Sequence, residues 1–208
     1  MNSRERVIKA LNCEEPDQVP FCDVAVDRGL AQKLLKWEGA TDIGSSSRTE
    51  NPYTVEESKA ISACLGLDNI NYLLRAPTYA HMLAGIDGRT FVGHGMIKTE
   101  DDLSKINLPD PYDDALYQEA EEYVANKGDY AICFVTRIGF FQVVLSLGLE
   151  GFCLALYDKP AMVEKMLDMY FDWMAVVADI DLMAPWGEAI AVAAFAWLAS
   201  SVMKRLTK

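Results

Sequence analysis

"RERVIKALNCEEPDQVPF", residues 4–21, decides how the chain is read. Val7, Ile8 and Leu11 fall on one helical face, and Ser3 stands where an N-cap belongs, two residues before Glu5. Pro16 ends that helix. "QVPFCDVAV" (18–26) then reads as a buried strand, apolar except for Asp23 near its end. A short amphipathic helix, an acidic proline turn and a strand, in that order, open an α/β protein.

Working outward, "RGLAQKLLKW" (28–37) reads as the next helix. Residues 38–53 are polar and rich in Gly and Ser, a loop pattern suited to a surface loop or a lid. Residues 54–67 read as a helix with Thr54 as N-cap and Glu57 completing a capping box. "NINYLLRAP" (69–77) is a strand that stops at Pro77, and "GRTFVGHGMI" (88–97) a hairpin or edge strand. "TEDDLSKI" (99–106) is a capped helical turn, and 108–128 a proline-introduced helix ending at Gly128. "DYAICFVTRI" (129–138) is the clearest buried strand. A helix over 139–159, broken near Gly148 or Gly151, and a long helix over 160–180 follow. Strands separated by helical patterns of this length predict βαβ units and a parallel sheet.

A chain of 208 residues, half of them apolar, suits one large domain. Its net charge of −12 and pI near 4.6 argue against a nucleic-acid backbone or an anionic membrane surface as partner, since both would repel it. Five scattered cysteines without a CxxC, behind a charged, helix-forming N-terminus, point to a reducing cytoplasm with free thiols. His81 and His94 are too few for a histidine-based metal site made by this chain alone. Residues 181–208 depart in composition from 1–180. The apolar run 189–203 is shorter than the roughly 20 residues of a membrane span, and it reads as a buried or partner-packed helix.

Four blocks in order carry a family. "SRERVIKALNCEEPDQVPF" resembles the opening of uroporphyrinogen decarboxylase-like proteins, which include the cobalamin-linked methyltransferases. "IKTEDDLSKINLPDPYDDALYQEAEEYV" is similar to the segment before a central strand in the methyltransferase branch. "FVTRIGFFQVVLSLGLEGF" resembles the glycine-containing strand-to-helix turn that lines the pocket, and "LALYDKPAMVEKMLDMYFDWM" the helices after it. The resemblance implies a TIM (β/α)8 barrel, present here as its N-terminal half. Only about four strands can be placed before residue 180, and such a barrel takes roughly 250 residues. It also implies methyl transfer between a corrinoid and a thiol, amine, ether or folate. The zinc of that branch would sit on a later His and Cys set, and no H-x-C occurs in this chain. Uroporphyrinogen decarboxylation is the alternative activity. It is disfavoured because Arg75 falls near the place of the family's acid, and Leu147 near that of its tyrosine. A cation there works against positive charge developing on a pyrrole. A further alternative is an inactive half-barrel that associates with a second chain, so a homo-oligomer is expected.

TIM-barrel sites lie at the C-terminal ends of the strands, which makes Asp23, Asp27 and Arg28 the catalytic candidates after the first strand. Arg75, His94, Arg137 and Phe140 are the substrate-binding candidates, for a small molecule or a tetrapyrrole or corrinoid. Arg137 ends the best strand and reads either as an anion site or as half of a structural ion pair. His94 sits between glycines, where backbone can approach a ligand; an ordinary loop histidine fits the same pattern. Cys133, inside the strand, reads as inert core.

Overall fold

The computed structural model describes residues 1–24, 26–37, 53–84, 90–137, 139–177 and 190–191. The loop expected at 38–53 lies outside them apart from Tyr53. Helix α1 (Ser3–Leu11) is capped by Asn2, one residue before the expected Ser3. The Asn2 side chain takes the Glu5 N–H at 2.8 Å, and the Glu5 carboxylate takes the Asn2 N–H at 3.1 Å. The capping box therefore satisfies two end donors at once. Asp27 caps α2 (Arg28–Leu35), accepting from Leu30 N–H at 3.0 Å. Thr54 and Glu57 form the expected capping box of α3 (Val55–Leu65).

The strand expected over 18–26 is not one. Its described residues pair in no sheet, and Val19, Phe21 and Val24 are exposed. Pro20 has no N–H to give a ladder. The segment is fastened instead to the start of strand β1 (Asn69–Leu73), largely by side chains. Phe21 N–H donates to the Asp68 carboxylate, and Asp68 N–H to the Phe21 carbonyl. Asn69 accepts from Asp23 N–H at 3.1 Å, and the Asn69 and Asn71 amides both donate to the Asp23 carbonyl.

Strands β2 (Ala80–Ala84) and β3 (Thr90–Gly95) form an antiparallel hairpin. A 3₁₀ turn over Glu100–Lys105 and a second over Asp114–Tyr117 lead into α4 (Gln118–Asn126). The helix expected from 108 starts ten residues later, because Pro109 and Pro111 bias the residues before them away from helical backbone. Gly128, at φ +63, follows the helix end. Strand β4 (Ala131–Val135) then pairs with β1 in parallel, Asn69 opposite Ala131 through Leu73 opposite Val135. Helices α5 (Phe140–Leu147) and α6 (Leu149–Asp158) meet at Gly148, φ +75, with a bend of 99°. The long helix α7 (Pro160–Val177) follows. Of the tail expected to be helical, Ile190–Ala191 is instead a two-residue strand, β5, parallel to β4. Pairing with β4 gives these residues inter-strand hydrogen bonds in place of helical ones. The rest of the tail lies outside the described residues.

The sheet β1-β4-β5 is thus parallel with helices around it, an α/β arrangement. Ile70, Tyr72, Ile132 and Phe134 pack in one buried cluster with Tyr123 of α4, Val143 of α5 and Met166, Tyr170 and Trp173 of α7. Two polar handles fix α7: Tyr170 O–H donates to the Pro77 carbonyl at 3.0 Å, and Trp173 Nε1–H to the Pro109 carbonyl at 2.7 Å. Aromatic side chains buried in this way need a partner for their polar tip. Among the described residues no single helix is long and apolar enough to cross a membrane.

Arg6 clamps the base of this arrangement, donating to Asp17 at 2.7 Å and to the buried Asp68 at 2.5 Å. The bond from Arg6 pulls the Asp17 carboxyl down to about 2. Burial pushes Asp68 up, but bonds from Phe21 N–H, Ser3 and Arg6 outweigh it and hold that carboxyl below its ordinary value. A carboxylate depressed on folding stabilises the fold above its unfolded pKa, near 4, and stops doing so as pH falls through the folded value. Urea unfolding midpoints should therefore drop between pH about 4 and about 2. Arg6→Gln should lower the midpoint at pH 7 and flatten that drop. Parallel curves for the two proteins over this window would show that Arg6 does not supply the pH dependence.

Candidate functional site

Side chains alternate along β1 and beyond it. Tyr72, Leu74 and Ala76 are buried, while Asn71, Leu73 and Arg75 are only half-buried and face the other way. The Leu74 N–H still donates to the Val135 carbonyl, so the parallel pairing runs on past the strand ends. With Leu73 opposite Val135, Arg75 and Arg137 each lie two residues further on, side by side at the C-terminal end of the sheet.

Arg75 is held there without compensation. Its Nε is buried and has no acceptor among the described residues, a situation that costs about 1–3 kcal/mol for a buried donor. Burial, and then the neighbouring Arg137 charge, bring its pKa down to about 10. Burial also lowers the pKa of Arg137, whose guanidinium lies 5.0 Å from the centre of the Phe141 ring. Two more orphaned atoms are close in the chain or fold: Thr78 Oγ1 and Gln142 Oε1, both buried without a partner among the described residues. The next residue, Tyr79, donates its N–H at 3.0 Å to Ser146 Oγ, one turn along α5 from Gln142. Gly139 lets α5 start against α7, since a Cβ there would meet the Tyr170 Cβ.

The other candidates have other partners. Asp23 lies against Asn69 and Asn71 at the opposite, N-terminal end of β1. Asp27 is the cap of α2. Arg28 pairs with Glu57 at 3.3 Å and lies 5.5 Å from the centre of the Tyr53 ring. His94 is exposed on β3, in a cleft that also includes Lys98, Gly148 and Glu150. Phe140 packs edge-on against Phe152, ring centres 5.5 Å apart. Cys133 is buried, and burial, followed by Cys22, raises its thiol to about 11, far from an activated thiolate. Among the described residues no three His, Cys, Asp or Glu side chains are placed to hold a metal ion. The zinc implied by the resemblance therefore has no fitting ligand set among them. Thr78 and Gln142 are not singled out by the sequence. A lone Gln within the apolar run "FFQVVLSL" is the signal that could have found the second.

The structure thus defines an α/β protein with two desolvated arginines at the C-terminal end of a parallel sheet. No protein-family model matches the chain, and neither does any curated protein. Among solved structures it is similar to a methyltransferase from Methanosarcina mazei, with a TM-score of 0.59 at 16% sequence identity. The likeness covers 90% of this chain and 57% of that one, so the chain spans little more than half the length of its structural neighbour. At that identity, what the two share is the fold.

Proposed function

We propose that this chain belongs to a methyltransferase of the uroporphyrinogen decarboxylase-like superfamily. On this reading the described sheet is part of a (β/α)8 barrel, and the protein works in the cytoplasm, moving a methyl group between a corrinoid and a thiol, amine, ether or folate. The observation that carries the reading is the fold shared with a methyltransferase over 90% of the chain. The sequence blocks support the corrinoid branch, and the position of Arg75 supports it over decarboxylation. A cation lodged beside Arg137 would oppose positive charge building on a pyrrole ring. Titration with methylcobalamin, followed by quenching of tryptophan fluorescence, tests the proposal together with a uroporphyrinogen assay. Saturable corrinoid binding without decarboxylation is expected. Release of CO₂ from uroporphyrinogen, or no saturable corrinoid binding, would overturn it. Association with a second copy is a compatible reading, favoured by the exposed apolar side chains of Val19, Phe21 and Val24 along one segment.

A further inference from the structure

We infer that Arg75 and Arg137 form a subsite for one anionic oxygen group, a carboxylate or a phosphate, carried by the molecule this protein acts on. The inference rests on reading the C-terminal end of the sheet as the active-site face, as proposed above, but not on methyl transfer.

Three observations carry it. The first is the register: with Leu73 opposite Val135, the two arginines follow the ends of neighbouring parallel strands by two residues each, at the same end of the sheet, where like charges repel. The second is the orphaned Arg75 Nε. A guanidinium is a planar fork of donors suited to two oxygens of one anion, and here a buried part of that fork has nothing to bind among the described residues. The third is that each arginine is followed in the chain by a further orphaned polar atom: Thr78 Oγ1, three residues after Arg75 and able to donate, and Gln142 Oε1, five after Arg137 and able to accept. An anion between the arginines would meet the unsatisfied donor and relieve the repulsion together. No side chain of this region that carries negative charge is needed for that account.

The chemistry also separates this subsite from a structural role for Arg75. A residue that held the fold together through an ion pair would be missed when removed. A desolvated cation pressed against another is missed only when its ligand is present.

The test measures thermal unfolding of the full chain at constant ionic strength against inorganic phosphate, succinate and uncharged succinamide. Wild type should be stabilised saturably by phosphate or by succinate and not by succinamide, and the stronger of the two anions identifies the group. Without anion, Arg75→Gln should be at least as stable as wild type; with anion its apparent affinity should fall at least tenfold. Arg75→Lys, which keeps charge but loses the fork, should fall between the two. If Arg75→Gln does not fold, the structural role is the correct one and the proposal is wrong; Arg137→Gln, with the same anion series, gives an independent check. No saturable response to either anion, or an equal response in wild type and Arg75→Gln, overturns the proposal. Anion binding without corrinoid binding would sink the methyltransferase reading alone, and corrinoid binding without an anion response would sink only this one.

Discussion

Gly95→Ala is expected to be one of the most destabilising single substitutions in the chain, lowering the urea midpoint sharply while wild type is native. Gly95 ends β3, and a Cβ on it would run into main-chain atoms of Ser146, Leu147 and Gly148 where α5 gives way to α6. Overpacking costs about 1–3 kcal/mol when flexible side chains can yield. Here the obstacle is backbone, and it is backbone already tied to its surroundings. Ile97 N–H donates to the Ser146 carbonyl at 3.0 Å, and Tyr79 N–H to the Ser146 side chain at 3.0 Å. Moving α5 away would break both bonds and pull the helix off the core that Val143 and Leu147 help to fill. A loss of roughly 3 kcal/mol or more is expected, a large part of the roughly 5–15 kcal/mol typical of a whole domain. Gly66→Ala is the informative contrast. That glycine lies at φ +70, and a Cβ added to it would meet no described atom within 4 Å. Only left-handed strain of about 1 kcal/mol applies there. Urea midpoints of the two variants measure the difference directly. A Gly95→Ala protein as stable as Gly66→Ala would mean that the hairpin does not pack on α5 as described.

The elements legible in the sequence are those whose causes are local. Asp27, and Thr54 with Glu57, bond to backbone three residues away, so the starts of α2 and α3 can be read where they stand. Gly148 breaks the apolar helix because its own backbone has positive φ. Segment 18–26 defeats a local reading. Its apolar residues look like a strand, but what holds it are Asp68, Asn69 and Asn71, more than forty positions away. The site divides in the same way. Arg75 and Arg137 can each be recognised as strand-end arginines, yet only the pairing of Leu73 with Val135 brings them together. Thr78 and Gln142 have no local signature as binding groups. Their burial without partners depends on how the chain after β1 packs on α5.

The second large effect is expected from Phe134→Ala, at about 3–5 kcal/mol for a fully buried aromatic ring. Phe134 is the fourth of the five residues of β4, with its ring 6.0 Å from that of Tyr72, which in turn lies 5.4 Å from Tyr123 of α4. Truncation removes one member of this stack and leaves a cavity that the sheet cannot close, because Phe134 is held in register against Tyr72 on one side and Ala191 on the other. For a protein of this size each kcal/mol moves the melting temperature by about 2–4 °C, so a fall of roughly 6–20 °C is expected in a thermal scan. Leu149→Ala, at a side chain that is 72% exposed, should change it little. The same Phe134 variant bears on function, since Val135 follows Phe134 directly and the chain runs on to Arg137. At a temperature where Phe134→Ala is still folded, the anion that stabilises wild type, phosphate or succinate, should stabilise it less, because the two arginines depend on the register that Phe134 helps to hold. A full anion response in a protein that has lost the expected stability would show that the arginine pair is positioned by α5 and the chain after β1 rather than by the sheet.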